Sequence, residues 1–96
     1  MSYKLEDGEQ LNKKNPRTFH IPSKVERDTL KTGDIVKLIF LFDDEGSMPE
    51  RMWVKIISKD ENQYKGILDN DPYTTKTIKA GDDVIFGSEN IIQIYS

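Results

Sequence analysis

The hydrophobic pattern is strongest between residues 35 and 68, where apolar runs alternate with polar positions. In Ile35–Phe42 both alternating sets of side chains are largely apolar, which predicts a strand covered on both faces for most of its length. In Arg51–Ser58 the even positions are mostly aliphatic and the odd positions are mixed, which predicts a second strand. Gln63–Leu68 predicts the returning strand, after a four-residue hairpin connection over residues 59–62.

A glycine inside the returning strand predicts a curved sheet. Tyr64, Gly66 and Leu68 share one face of this strand, and an interior glycine marks a bulge, a bend or a close approach of another backbone. Val84–Phe86 and Ile91–Tyr95 predict two more short strands, separated by a turn over residues 87–90.

One short helix is predicted before the first long strand. Ser23 and Glu26 have the spacing of a capping box, in which each residue satisfies a free backbone donor of the other. The helix is expected to run from there to about Leu30. Gly33 is placed to end it, because glycine adopts the left-handed conformation without steric cost.

The chain length allows one domain, since independent domains have roughly 100–200 residues. Residues 1–15 are polar with few, widely spaced apolar side chains, which predicts a mobile N-terminal arm. Residues 16–96 are expected to form a single small β-rich domain. The fold class is α+β, with a strongly bent antiparallel sheet of about five strands and one short N-terminal helix. An SH3-like partial barrel is one form of such a sheet.

A short motif occurs twice, as Leu30-Lys-Thr-Gly-Asp-Ile-Val and as Ile78-Lys-Ala-Gly-Asp-Asp-Val. The flanking residues do not extend the match, so we interpret it as shared turn chemistry rather than as a duplication. Glycine supplies a positive φ, and aspartate accepts hydrogen bonds from nearby backbone amides just before a strand.

Charge and cysteine content narrow the function classes. The net charge is −3, with 14 basic and 17 acidic residues, which disfavours duplex nucleic acid and an anionic membrane as partners. The chain contains no cysteine, which removes disulfides, thiolate catalysis and thiolate-bound metals. No apolar run is long enough to span a bilayer, and we expect a cytoplasmic protein.

The sequence predicts no catalytic residue, metal site or cofactor. His20 is the single histidine, has no Gly-x-Ser-x-Gly partner motif in the chain, and is expected to point to solvent. Asp69 and Asp71 resemble the start of a calcium loop, but Tyr73 and Thr74 occupy its fifth and sixth positions, where a ligand and a glycine are required. Acidic residues in these turns are therefore expected to serve structure. No glycine-rich nucleotide loop precedes a helix.

The candidate binding face combines basic and aromatic residues of the predicted hairpin. Arg51, Trp53 and Lys55 share one strand face, and Tyr64 and Lys65 of the partner strand are expected to join them. Such a face can stack and neutralise single-stranded nucleic acid. The alternative is that Trp53 caps the core while the stems of Arg51 and Lys55 lie beside it. The acidic net charge favours this alternative.

Several motifs, in their order and spacing, resemble the DUF2314 family of bacterial proteins over about residues 50–94. These are the segment Met52-Trp53-Val54, Gly66 of the returning strand, the turn Asn70-Asp71-Pro72, and the late segment that begins with Gly81 and Asp82. Family members often end in an acidic residue and a tryptophan, whereas this chain has Gln93-Ile94-Tyr95. The resemblance implies a bacterial domain and no particular reaction.

The expected function is a non-enzymatic binding or interaction module with a protein partner. One alternative is an immunity or inhibitor protein for a basic toxin, because opposite charge steers association. Another is a small enzyme with an unrecognised carboxylate site, which a concave pocket with converging carboxylates would indicate. Single-stranded nucleic acid stays open as a disfavoured partner.

Overall fold

A computed structural model describes residues 2–96, and in them one antiparallel sheet carries two short helices and a 3₁₀ turn. The sheet follows the order β1-β2-β3-β4-β5 and curls into a half-barrel, while β6 also pairs with β2. The predicted α+β class with a bent antiparallel sheet is confirmed. The elements are β1 (Tyr3–Leu5), α1 (Gly8–Lys14), α2 (Lys24–Asp28), β2 (Ile35–Phe42), β3 (Glu50–Asp60), β4 (Gln63–Leu68), β5 (Asp83–Phe86), the 3₁₀ turn (Ser88–Asn90) and β6 (Gln93–Ile94).

The inner face of the sheet forms the core. The β2–β3 register pairs Val36 with Val54 and Leu38 with Met52, so the even positions of both strands point to the same side. Burying each such side chain contributes about 1.5–3 kcal/mol. The buried cluster consists of Val36, Leu38, Phe40, Met52, Val54, Ile56, Tyr64, Leu68, Ile78, Val84, Phe86 and Ile91.

Gly66 lies where β3 and β4 approach each other closely. It pairs with Ile56, immediately before a register shift in β3 between Ile56 and Ser58. A Cβ atom added to Gly66 would lie 2.5 Å from Val54 Cγ1 and 2.8 Å from the Lys55 carbonyl oxygen. Glycine is needed for this approach, as the sequence predicted.

The β3–β4 hairpin is tighter than expected. Asp60 pairs with Gln63, so only Glu61 and Asn62 connect the two strands instead of four residues. Glu61 has a positive φ of 39°, which fits a two-residue hairpin connection. A register shift between Ile56 and Ser58 changes which residues of β3 and β4 face each other, and pairing continues from there to Asp60 and Gln63.

The capping box of α2 is confirmed. The Ser23 hydroxyl accepts a hydrogen bond from the Glu26 N–H at 3.2 Å, and Glu26 Oε1 accepts one from the Ser23 N–H at 3.2 Å. The helix ends at Asp28, short of the predicted Leu30. Gly33 therefore does not end it and belongs to a later turn.

The repeated motif forms the same turn twice. In both Lys31–Asp34 and Lys79–Asp82, the aspartate carboxylate accepts from the lysine N–H, at 2.8 Å and 3.0 Å respectively. Gly33 and Gly81 have φ values of 98° and 95°. Each glycine N–H also donates to a carbonyl of a sheet strand, at 2.8 Å. Shared turn chemistry thus accounts for the motif.

The N-terminal segment contains β1 and α1 and pairs with the sheet, whereas the sequence predicts no fixed element there. Tyr3 of β1 pairs with Phe42, and its ring lies 5.4 Å from that of Phe40. Asp7 caps α1 by accepting from the Gln10 N–H at 3.0 Å. Few apolar side chains are enough to hold this segment, because Tyr3 and Leu5 pack against the core. That residues 16–96 form a domain by themselves stays a prediction.

One buried cation joins the helices. Arg27 is only 5% exposed, and its Nη1 donates to Glu9 Oε2 at 2.7 Å and to the Ser88 carbonyl at 2.9 Å. Its Nε donates to the Pro22 carbonyl at 2.9 Å. The Arg27 carbonyl accepts from the Tyr64 hydroxyl at 2.7 Å. These bonds tie α1, α2 and the 3₁₀ turn to the sheet.

Candidate binding surface

The outer face is the side of the sheet opposite the core, and it brings together most of the predicted face residues. Arg51, Trp53 and Lys55 lie on it, because strand alternation sends their even-numbered neighbours into the core. Lys65 joins them from β4. The grouping of these four residues follows the prediction.

Tyr64 is the exception, and its assignment to this face is wrong. It is 2% exposed, and its ring stacks on Phe86 with the centroids 5.5 Å apart. Its hydroxyl donates to the Arg27 carbonyl and accepts from the Leu30 N–H at 3.3 Å. Adjacent strand residues point to opposite faces, so Tyr64 and Lys65 cannot share one.

Trp53 lies half-buried between a cation and a second aromatic ring. Lys37 Nζ is 4.5 Å from the indole centroid, and the Tyr95 ring meets it edge-on at 5.6 Å. Because Trp53 lies on the face opposite the core, its interpretation as a core cap is wrong. Lys37 could have been found from strand alternation. Tyr95 could not, because its position depends on the β2–β6 pairing.

The backbone of Trp53 is fixed by the loop that follows β4. Its N–H donates to Asn70 Oδ1 at 2.7 Å, and its carbonyl accepts from the Asp69 N–H at 2.9 Å. Arg51 is positioned by the chain before α2, since its Cζ lies 5.6 Å from the Phe19 ring centroid. Arg51 and Trp53, both near the start of β3, are therefore each positioned by a segment outside the strand.

Strand positions on the outer face carry an excess of positive charge, although the whole chain is acidic. Lys65 and Asp83 form an exposed pair at 3.6 Å, which solvent screens. The remaining cations have no comparable partner among the strand positions of this face. The strands place Lys4, Lys37, Arg51, Lys55 and Lys65 here, against Asp60 and Asp83.

The remaining positions of the sequence motif are structural. Met52 and Val54 are core residues, and Gly66 allows the close strand approach. Pro72 is half-buried in the loop after β4. Asn70, Gly81 and Asp82 supply the loop and turn hydrogen bonds described above.

Two carboxylates hold the acidic loops together, and we name residues 43–50 and 69–77 the loop pair. Glu50, 9% exposed, accepts from the N–H groups of Tyr73 and Thr74 at 2.8 Å and 3.0 Å, and from the Thr74 hydroxyl at 3.0 Å. Burial raises the pKa of Glu50, but these hydrogen bonds outweigh it and the pKa is lowered.

Asp44 binds the second segment of the loop pair, residues 69–77, closer to its C-terminal end. Its carboxylate accepts from the hydroxyls of Thr75 and Thr77, at 2.9 Å and 3.0 Å, and from the Lys76 N–H at 3.3 Å. Desolvation raises the pKa of Asp44, yet the bonds prevail and lower it. Asp44 and Glu50 thus serve structure in these loops.

Two cavities of the described residues are lined by titratable side chains. His20 is exposed and lines a cavity of about 360 Å³ with Glu26, whose Oε1 already accepts from the Ser23 N–H and hydroxyl. A cavity of about 390 Å³ beside α2 is lined by three carboxylates and two lysines, which are Asp28, Glu61, Glu89, Lys24 and Lys59. Lys24 and Asp28 pair at 2.7 Å. Within residues 2–96, no group of three or more His, Cys, Asp or Glu side chains is arranged to hold a metal ion.

Comparison with known proteins identifies a family. A family model described as "Uncharacterized protein conserved in bacteria (DUF2314)" matches residues 17–94, which include α2 and β2 as well as the later strands. No curated protein and no solved structure matches the chain. In residues 2–96, the helices all lack the length and hydropathy that crossing a membrane requires.

Proposed function

The chain belongs to the DUF2314 family of bacterial proteins, and we propose that it works as a non-enzymatic binding module. Its outer face binds an acidic segment of a partner protein. The observation that carries this proposal is the placement of Trp53 between Lys37 and Tyr95 on a face rich in cations.

The aromatic pair supplies the apolar part of the site. Tyr95 is 65% exposed although it contacts Trp53, and Trp53 is only half-buried. Tryptophan, tyrosine and arginine dominate the energetics of protein interfaces, because they combine large contact area with hydrogen-bonding groups. Part of the surface of the two rings stays exposed to water in the folded chain. A partner side chain that packs against both rings would bury this surface.

The charges select an anionic partner. Arg51 and Lys55 are exposed on either side of Trp53, and an acidic segment would meet both of them. Complementary charge of this kind raises association rates and excludes wrong partners more than it raises affinity.

A peptide fits better than single-stranded nucleic acid. The Asp69 N–H is bonded to the Trp53 carbonyl, so the exposed Asp69 and its neighbour Asp71 border the face. A nucleic-acid strand that runs along the sheet would bring its phosphates close to these carboxylates. A short acidic peptide can bind the cations and end before it reaches them. Nucleic acid also carries one negative charge per nucleotide, and the basic side chains on the strands are few in comparison.

The test uses a labelled peptide with alternating glutamates and a central phenylalanine, titrated by fluorescence anisotropy at about 20 mM and about 150 mM salt. The double variant Arg51→Ala/Lys55→Ala is expected to bind about fivefold more weakly. The control Lys14→Ala/Lys31→Ala removes the same charge from exposed positions outside the face, and its affinity should stay within about twofold.

A thymidine oligonucleotide of equal charge is the second probe. Tighter binding of the oligonucleotide than of the peptide would replace the proposed partner with nucleic acid. Equal binding of the peptide by both double variants would refute the outer face as the site.

A further inference from the structure

Two strongly exposed apolar side chains belong to the two segments of the loop pair. Tyr73 is 94% exposed and Met48 is 64% exposed. The Met48 N–H donates to the hydroxyl of Thr74, the residue next to Tyr73, at 2.9 Å. Folding gains little from either exposed side chain, since neither leaves water.

The backbone beneath these side chains is nevertheless held firmly. Glu50 is nearly buried so that it can accept from the Tyr73 and Thr74 amides, and Asp44 holds the following threonines. Taking a carboxylate out of water costs free energy, which the hydrogen bonds must offset. A loop fixed in this way presents its side chains in one arrangement, which reduces the entropy lost on binding.

The charge of the exposed side chains on the loop pair indicates the kind of partner. Glu45, Asp69 and Asp71 are exposed on the same two loops, and Lys76 is the cation among residues 43–50 and 69–77. Tyrosine and methionine are enriched at protein interfaces, with charged residues at the rim. We infer that the loop pair is a second docking surface, which binds a basic partner protein through Tyr73 and Met48 with the carboxylates as its rim.

This surface adjoins the proposed outer-face site, because Asp69 and Asn70 bond to the Trp53 backbone, but the two surfaces differ in charge. The outer face is cationic in its strand positions and the loop pair is anionic, so the two surfaces select ligands of opposite charge. A module with both could join an acidic segment of one protein to a basic surface of another. Failure of one site leaves the other testable.

The test is a two-dimensional ¹H–¹⁵N NMR titration of the full chain with an arginine-rich peptide that carries a central leucine pair. The largest shift changes are expected at Met48, Tyr73 and Thr74, and not at the outer-face residues Lys55 and Lys65. Tyr73→Ala should weaken binding at least about fivefold. Val25→Ala removes an exposed apolar side chain of α2, outside both surfaces, and its affinity should stay within about twofold.

A second peptide, with both leucines changed to serine, separates docking from simple charge attraction. It should bind at least about fivefold more weakly than the leucine peptide. Equal affinity of the two peptides, or unchanged affinity of Tyr73→Ala, would show charge attraction only and overturn the inference. Because the Tyr73 ring is 94% exposed, its removal should leave the fold intact, which the same spectra verify.

Discussion

Replacing Tyr64 with phenylalanine tests whether one hydroxyl attaches α2 to the sheet. The ring of Tyr64 lies in the core and stacks on Phe86, and phenylalanine would preserve this packing. The lost group is the hydroxyl, which donates to the Arg27 carbonyl at 2.7 Å and accepts from the Leu30 N–H at 3.3 Å. The substitution therefore changes hydrogen bonding without creating a cavity.

The expected loss follows from the two backbone groups left without a partner. A buried polar group that loses its hydrogen bond costs about 1–3 kcal/mol. The Arg27 carbonyl loses a short bond in a buried position, whereas the Leu30 N–H loses a longer and partly buried one. We expect Tyr64→Phe to lower the free energy of unfolding by about 2 kcal/mol, mostly through Arg27.

Urea denaturation followed by the fluorescence of the single tryptophan measures this loss. With a slope of about 1–2 kcal/mol/M for a small domain, the midpoint should fall by about 1–2 M while the slope stays unchanged. Tyr95→Phe is the matched control, because it removes the same atom from an exposed ring, and it should stay within about 0.5 kcal/mol of the wild type. A Tyr64→Phe midpoint equal to that of the control would refute the reasoning.

Two further substitutions test the bend and the loop pair. Gly66→Ala places a methyl group against Val54 Cγ1 and should lower the free energy of unfolding by about 1–3 kcal/mol in urea denaturation, so an unchanged midpoint would contradict the close approach. The lowered pKa of Glu50 means that its stabilisation is present above the ordinary value of 4.5 and is lost as the pH falls through the folded-state pKa. The urea midpoint of the wild type should therefore fall as the pH is lowered from about 5 to about 3. Glu50→Gln should lower the midpoint at neutral pH, and its midpoint should fall less over the same pH range. An equal fall for the variant and the wild type would disprove the contribution of Glu50 to acid sensitivity.

Local signals in the sequence were sufficient for much of the fold. The apolar alternation of β2 and β3, the Ser23 capping box and the two glycine turns depend on residues close in the chain, and each appears in the structure. The four outer-face residues also followed from alternation. These features are set by strand geometry and by hydrogen bonds across a few residues.

The errors arose where a residue's environment depends on distant partners. The strand β1 is only three residues long and is stabilised by β2, so its sequence has no strand signal of its own. The burial of Arg27 requires Glu9 and the Ser88 carbonyl, which the fold brings together from three elements. The acidic net charge favoured Trp53 as a cap of the core, but charge over the whole chain does not report the local environment, and the neighbours of Trp53 come from β2 and the C-terminal segment.

The position of β2 has a consequence for the order of folding. Besides β3, it pairs with β1 through Tyr3 and Phe42 and with β6 through Val36 and Ile94, so both ends of the chain join the same strand. These pairings close much longer loops than the two-residue β3–β4 hairpin, and their entropic cost is higher. The β2–β3–β4 meander should therefore form first, and the two chain ends should dock last as separate, late events.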